Sequence, residues 1–285
     1  MFAEEWPLMM FTLLMQLAVG SFIFMVIVRS LKNKIGTEES LKVTKTGMLL
    51  VGPIVILAFI CSVFHLGTPL GAYRSIGNLG SSWLSREILF SGGFFLMWLI
   101  SFLLEKRGKW SQAAGWIASI IGIGAIFSMA SIYTSTIKPA WADVNTYFVF
   151  FGTTIVYGAV FAIVLMSLSK EAKTESTVNI LKVFTVVVLA AVVLQLIYLP
   201  VYTSGLVNAG QAGVQAAHLL TETYGIASVV RWLLTISGFG VLVYVLNKKL
   251  EKKAALFYLA LILVLIGEFI GRYIFYGTGV SIGIG

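Results

Sequence analysis

The chain is 285 residues long, 59% hydrophobic and only 11% charged, with a formal net charge of +8. That composition lies outside the range of soluble globular domains and excludes a soluble enzyme. The single cysteine, Cys61, sits in an apolar run, which leaves no disulfide framework and no thiolate set for an iron–sulfur cluster.

A helix needs about 20 mainly apolar residues to cross a bilayer, and at that window eight spans follow one another. They fall at about 8–30, 43–66, 85–105, 113–136, 146–168, 178–200, 228–247 and 254–276. The ten-residue alternation of a membrane barrel is absent, so the fold class is all-α: a polytopic membrane protein forming a single integral membrane domain over residues 1–285. Glu4 and Glu5 stand where a signal peptide would be basic, and the first span reads as a retained helix. Pro53 predicts a kink in the second span, which ends at His65, with Gly67 and Pro69 as cap and stop. Gly67, Pro69, Gly71, Gly77 and Gly80 then give a loop, and the third span opens behind Ser82 or Ser85 as its cap. Between the sixth and seventh spans, AGQAGVQAAHLLTET (residues 209–223) predicts a short surface helix. In the eighth, Gly267 and Gly271 form a GxxxG pair read as helix packing. Trp6, Trp83, Trp110, Trp141 and Tyr147 lie near span ends, as interfacial anchors would.

The basic residues are distributed rather than gathered into a patch, and no nucleic-acid partner is expected. Fifteen of the twenty alternate onto one side: Arg29, Lys32, Lys34, Lys42 and Lys45; Lys106, Arg107 and Lys109; Lys170, Lys173 and Lys182; Lys248, Lys249, Lys252 and Lys253. The positive-inside rule makes that side cytoplasmic and places both termini outside. The longer connections, about 67–84 and 201–227, are then external.

Ionisable groups in or beside a span are costly and mark functional candidates until a local partner explains them. Here they are His65, Arg74, Arg86, Glu87, Arg231, Glu268 and Arg272, and all map to the outer side. Each has a plain structural reading. His65 suits the negative end of its helix dipole and Glu87 the positive end of its own; Glu268 and Arg272 are spaced to neutralise one another; Arg86 and Arg231 can snorkel to headgroups. Those readings leave the shared depth unexplained, because the inner ends carry lysine, arginine and a few flanking acids, and the middle holds little beyond Gln16 and hydroxyls.

A haem would need two axial ligands on facing helices, but the two histidines are His65 and His218, and the latter lies in an outer loop; no haem and no metal is expected. The repeat symmetry and midplane polar sites of a secondary transporter are not visible, nor are the ionisable groups a proton channel would continue across the inner half. A quinol fits better: it needs an apolar slot reached from membrane lipid and acceptors for its two hydroxyl protons. With no redox centre in this chain, the electrons pass to a partner docked on the outer face. A transporter and an inert tethering anchor remain as alternatives.

His65-Leu66-Gly67-x-Pro69-x-x-Ala72, Ser82-x-Leu84-Ser85-x-Glu87-Ile88, and Gly267-Glu268-x-x-Gly271-Arg272-x-x-Phe275-Tyr276-Gly277, with Glu5-Trp6-Pro7 at the start, resemble the membrane-anchor subunit of bacterial dimethyl sulfoxide reductases. The resemblance runs from the first span to the last, but spans four to six match mainly in hydropathy and contribute no residue. It implies a multi-pass subunit of the bacterial cytoplasmic membrane that oxidises menaquinol. Electrons would go to an iron–sulfur subunit and on to a molybdopterin catalytic subunit. In that family the positions matching His65 and Glu87 are associated with quinol oxidation. His65 is expected to accept one quinol proton and Glu87 to accept or relay the other, with Arg74 orienting the ring or the docked partner. Ser85, Glu268, Arg272 and Tyr276 complete the expected quinol-binding set. Oxidation and electron exit at one face would make the step electroneutral.

Overall fold

The computed structural model describes residues 2–65, 77–169, 174–248 and 254–282. The described residues are predominantly helical, with no strand among them. The chain runs through α1 (Phe2–Ser30), α2 (Lys32–Ile35), α3 (Thr37–His65), α4 (Trp83–Lys106), α5 (Gln112–Thr134), α6 (Asn145–Leu168), α7 (Glu175–Val207), α8 (Gly210–His218), a π-helical turn at Leu219–Thr223, α9 (Gly225–Asn247) and α10 (Ala254–Gly277). Eight of these helices are long and apolar enough to cross a membrane, and they correspond one to one with the predicted spans.

Several helices overrun their predicted bounds. α3 starts at Thr37 rather than near 43, with Glu38 and Glu39 in its first turn facing the positive end of the helix dipole. α7 continues through Pro200 to Val207. A proline removes one backbone donor but need not end a helix whose neighbours support it. The predicted surface helix at 209–223 is α8 with its π-helical extension. Ser82 caps α4, its hydroxyl accepting from the Ser85 N–H at 3.3 Å.

α1 is the centre of the bundle: 83% of its most apolar stretch is buried, against 28% in α4 and in α9. It packs against α3, α5, α6 and α10, while α4–α5, α6–α7 and α9–α10 pair as neighbours. At the α1–α6 crossing Gly20 faces Gly158, and a Cβ on Gly158 would fall on the Gly20 backbone, so only glycine allows this approach. The two ends of the bundle are chemically distinct. One, here the terminal end, gathers the start of α1, the ends of α3, α5 and α10 and the start of α6: Trp6 lies 6.2 Å from Phe64, and the Trp141 indole N–H donates to the Phe275 carbonyl at 2.8 Å. The other, the basic end, joins α1, α3, α4 and α5 through Arg29, Thr44, Glu105 and Gln112.

Candidate functional site

Glu87 lies one turn into α4 and is buried at 7% exposure. Among the described residues no arginine or lysine pairs with it. Tyr133 is buried near the end of α5. The Tyr133 hydroxyl is bonded directly to that of Tyr276 on α10, in a nest of rings formed by Trp141, Phe150 and Phe275. Ser85 is buried beside this helix start. Helix α4 presents a carboxyl inward because Glu87 falls on its bundle-facing side, with Ser91, Phe94 and Trp98 following at i+4, i+7 and i+11.

Arg272 follows Tyr276 one turn deeper in α10 and is 1% exposed. It donates to Gln16 Oε1 on α1 at 2.8 Å, and Gln16 donates in turn to the Phe150 carbonyl at 3.0 Å. Its guanidinium lies 3.9 Å from the centre of the Phe150 ring. Among the described residues, Nε and one terminal nitrogen of Arg272 find no hydrogen-bond partner. A further turn down, Glu268 accepts from Thr153 of α6 at 2.6 Å and stands 3.8 Å from the Arg231 guanidinium, with its second carboxyl oxygen unpartnered. Arg231 also donates to Gln195 of α7 at 3.1 Å. Five helices thus meet around two arginines and one carboxylate.

The geometry places the expected residues unevenly. Glu87, Tyr276, Arg272 and Glu268 are all buried, and the Tyr133–Tyr276 hydroxyl pair links α5 to α10. His65 is the last residue of α3, but its side group, like the whole of Arg74, lies outside the described residues, and so does the hollow expected beside them. Several expectations are corrected. Glu268 and Arg272 do not form an ion pair with each other: Arg272 turns to Gln16 and Phe150, and Glu268 to Thr153 and Arg231. Arg231 does not snorkel outward; it is 11% exposed and folded over the α10 backbone, where a Cβ on Gly271 would collide with it. The GxxxG pair therefore seats an arginine and Thr235 as well as a helix. Arg86 forks onto the Leu79 and Gly80 carbonyls at 2.9 and 2.7 Å, tying down the turn before α4. Trp141 is a buried ring stacked on Phe275, not an interfacial anchor.

Polar groups are also not confined to the terminal end. Glu268 lies nine residues from the end of α10, about 14 Å along the helix. At the basic end Arg29 is buried and holds Glu105. The residues missed in spans four to six, Tyr133, Thr153 and Gln195, are site-forming, and the available signal was a polar group inside an otherwise apolar span.

Known proteins share this sequence over almost its whole length. A family model described as DMSO reductase anchor subunit (DmsC) matches residues 1–278. The sequence is 31% identical over 287 aligned positions to the YnfH subunit of anaerobic dimethyl sulfoxide reductase from Escherichia coli (strain K12), covering 99% of this protein and 97% of that one. It is 29% identical to the C subunit of anaerobic dimethyl sulfoxide reductase from the same organism, covering 99% and 97%. The corresponding C subunit from Haemophilus influenzae is 28% identical, covering 98% and 96%.

Proposed function

The chain belongs to the DMSO reductase anchor subunit family, and on that premise we propose that it oxidises menaquinol at the terminal end of the bundle and passes the electrons to a docked iron–sulfur subunit, which feeds a molybdopterin catalytic subunit. The basic end faces the cytoplasm on this reading, by the positive-inside rule, so that both termini and the site lie on the outer side of a bacterial cytoplasmic membrane.

The observation that carries it is Glu87: a buried carboxyl with no cationic partner among the described residues. Burying a carboxyl in a membrane protein without a counter-charge is costly, and such a group is retained where it handles protons. Menaquinol oxidation releases two electrons and two protons. The His65 imidazole at the end of α3 takes one proton and the Glu87 carboxylate the other, while both electrons leave to the partner. The family itself supports a complex with catalytic and electron-transfer subunits.

The test is to replace His65 by Arg in the assembled complex. Quinol-dependent turnover is expected to disappear while the complex stays membrane-bound and turns over with an artificial soluble donor. Unchanged quinol oxidation would favour an inert tether, and solute uptake by vesicles holding this protein alone would favour a transporter.

A further inference from the structure

At the basic end, α3 and α4 part to leave a groove of about 560 Å³ lined by Lys45, Thr46, Met48, Leu49, Phe102, Glu105 and Lys106. It lies at the opposite end of the bundle from Glu87. The two helices are held together on its inner side by Trp98, whose indole N–H donates to the Met48 carbonyl at 2.8 Å and whose ring occupies the space over Gly52. The stack Phe95–Trp98–Phe102 continues that wall toward the groove.

The lining has an amphiphilic order. Lys45 and Lys106 are exposed, and one turn deeper on each helix stand Leu49, 50% exposed, and Phe102. That is a cationic level followed, about 5 Å nearer the bilayer centre, by an apolar one. The acid on the wall does not oppose this: both Glu105 oxygens are taken by the Arg29 guanidinium, at 2.7 and 2.9 Å. Among the described residues neither lysine has a carboxylate within ion-pair distance; Lys106 lies instead 4.9 Å from the centre of the Phe102 ring. Lys42, one turn earlier in α3, is by contrast paired with Glu38 at 2.7 Å.

We propose that this groove binds one anionic phospholipid, its phosphodiester between Lys45 and Lys106 and its acyl tails along Leu49 and Phe102. Paired cations over an apolar interhelical slot match a headgroup joined to hydrocarbon, a combination that neither a free anion nor a neutral lipid satisfies. The inference does not depend on quinol chemistry, and its failure would leave that reading untouched.

The test is lipid retention by the purified complex, stripped of lipid in detergent and titrated with phosphatidylglycerol or phosphatidylcholine, with bound lipid counted by native mass spectrometry. Wild type is expected to favour phosphatidylglycerol by about tenfold. Lys45→Gln with Lys106→Gln abolishes the preference, whereas Lys45→Arg with Lys106→Arg keeps it, which separates lost charge from a misfolded protein. Equal retention of the two lipids by wild type overturns the proposal. So does equal occupancy by inorganic phosphate, or displacement of the lipid by a menaquinone analogue.

Discussion

Two arginines are buried to the same degree at opposite ends of this bundle, and they are treated differently. Arg29, at 1% exposure, donates from Nε to Thr44 at 2.7 Å and from both terminal nitrogens to Glu105, and lies 4.2 Å from the centre of the Trp110 ring. Arg272, also at 1%, donates once to Gln16 and leaves two nitrogens without a partner among the described residues. A closed pair of that kind holds α1, α3 and α4 in register. An open cluster with unpartnered donors and a half-partnered carboxylate is an arrangement in which a buried polar group remains available for chemistry.

The sharpest way to break the comparison is Arg29→Ala. Removing Arg29 takes away three hydrogen bonds and leaves the Glu105 carboxylate, 21% exposed, without its counter-charge, which costs about 3 kcal/mol. Complex recovered in the membrane should fall steeply, while quinol-dependent turnover per assembled complex stays unchanged. Replacing both Arg29 and Glu105 by apolar residues of similar volume should restore much of the yield. A lasting loss of turnover in the complexes that do assemble would mean the basic end is not merely structural.

The terminal end should respond in the opposite sense. Glu87→Gln keeps shape and burial but removes the proposed proton acceptor, and quinol-dependent turnover is expected to drop about 100-fold, the lower range for a general base. Assembly and turnover with a soluble artificial donor should hold. A variant with full quinol activity would remove Glu87 from the mechanism.

Much of this contrast was legible beforehand, and the illegible part has a physical cause. Continuous apolar runs and alternating basic loops are one-dimensional properties, so eight helices and two unlike ends followed directly from them. Glu87 and Arg272 stood out because a charge in an apolar run is visible without knowing its neighbours. What a charge does with its neighbours is not visible. Glu268 and Arg272 are four residues apart, yet each finds a better partner on another helix. Arg231 looked like a surface anchor because nothing local shows that Gly271 leaves room for it. Arg29 was one more cytoplasmic cation until Glu105, 76 positions away, was brought to it.

Arg272→Gln then asks whether the open cluster is structural after all. One charge-assisted hydrogen bond and a ring contact are lost, about 2 kcal/mol, less than at Arg29. The expected signature is a fall of about tenfold, near 1.4 kcal/mol in activation terms, in quinol-dependent relative to artificial-donor turnover. Loss of assembly equal to that of Arg29→Ala would erase the distinction between the two ends.

The smallest expected effect tests the link itself. Tyr133→Phe keeps the ring that packs edge-on against Trp141, Phe275 and Tyr276 and removes only the hydroxyl bonded to Tyr276. The stability cost should be about 1 kcal/mol, that of one buried hydrogen bond. If the hydroxyl pair transmits between Glu87 and the Arg272 cluster, Tyr276→Phe should lower quinol turnover by the same factor. The double variant should then be no slower than either single one, because the second substitution removes a connection already cut. Two independent effects would multiply instead, and would show that Glu87 works without the cluster behind it.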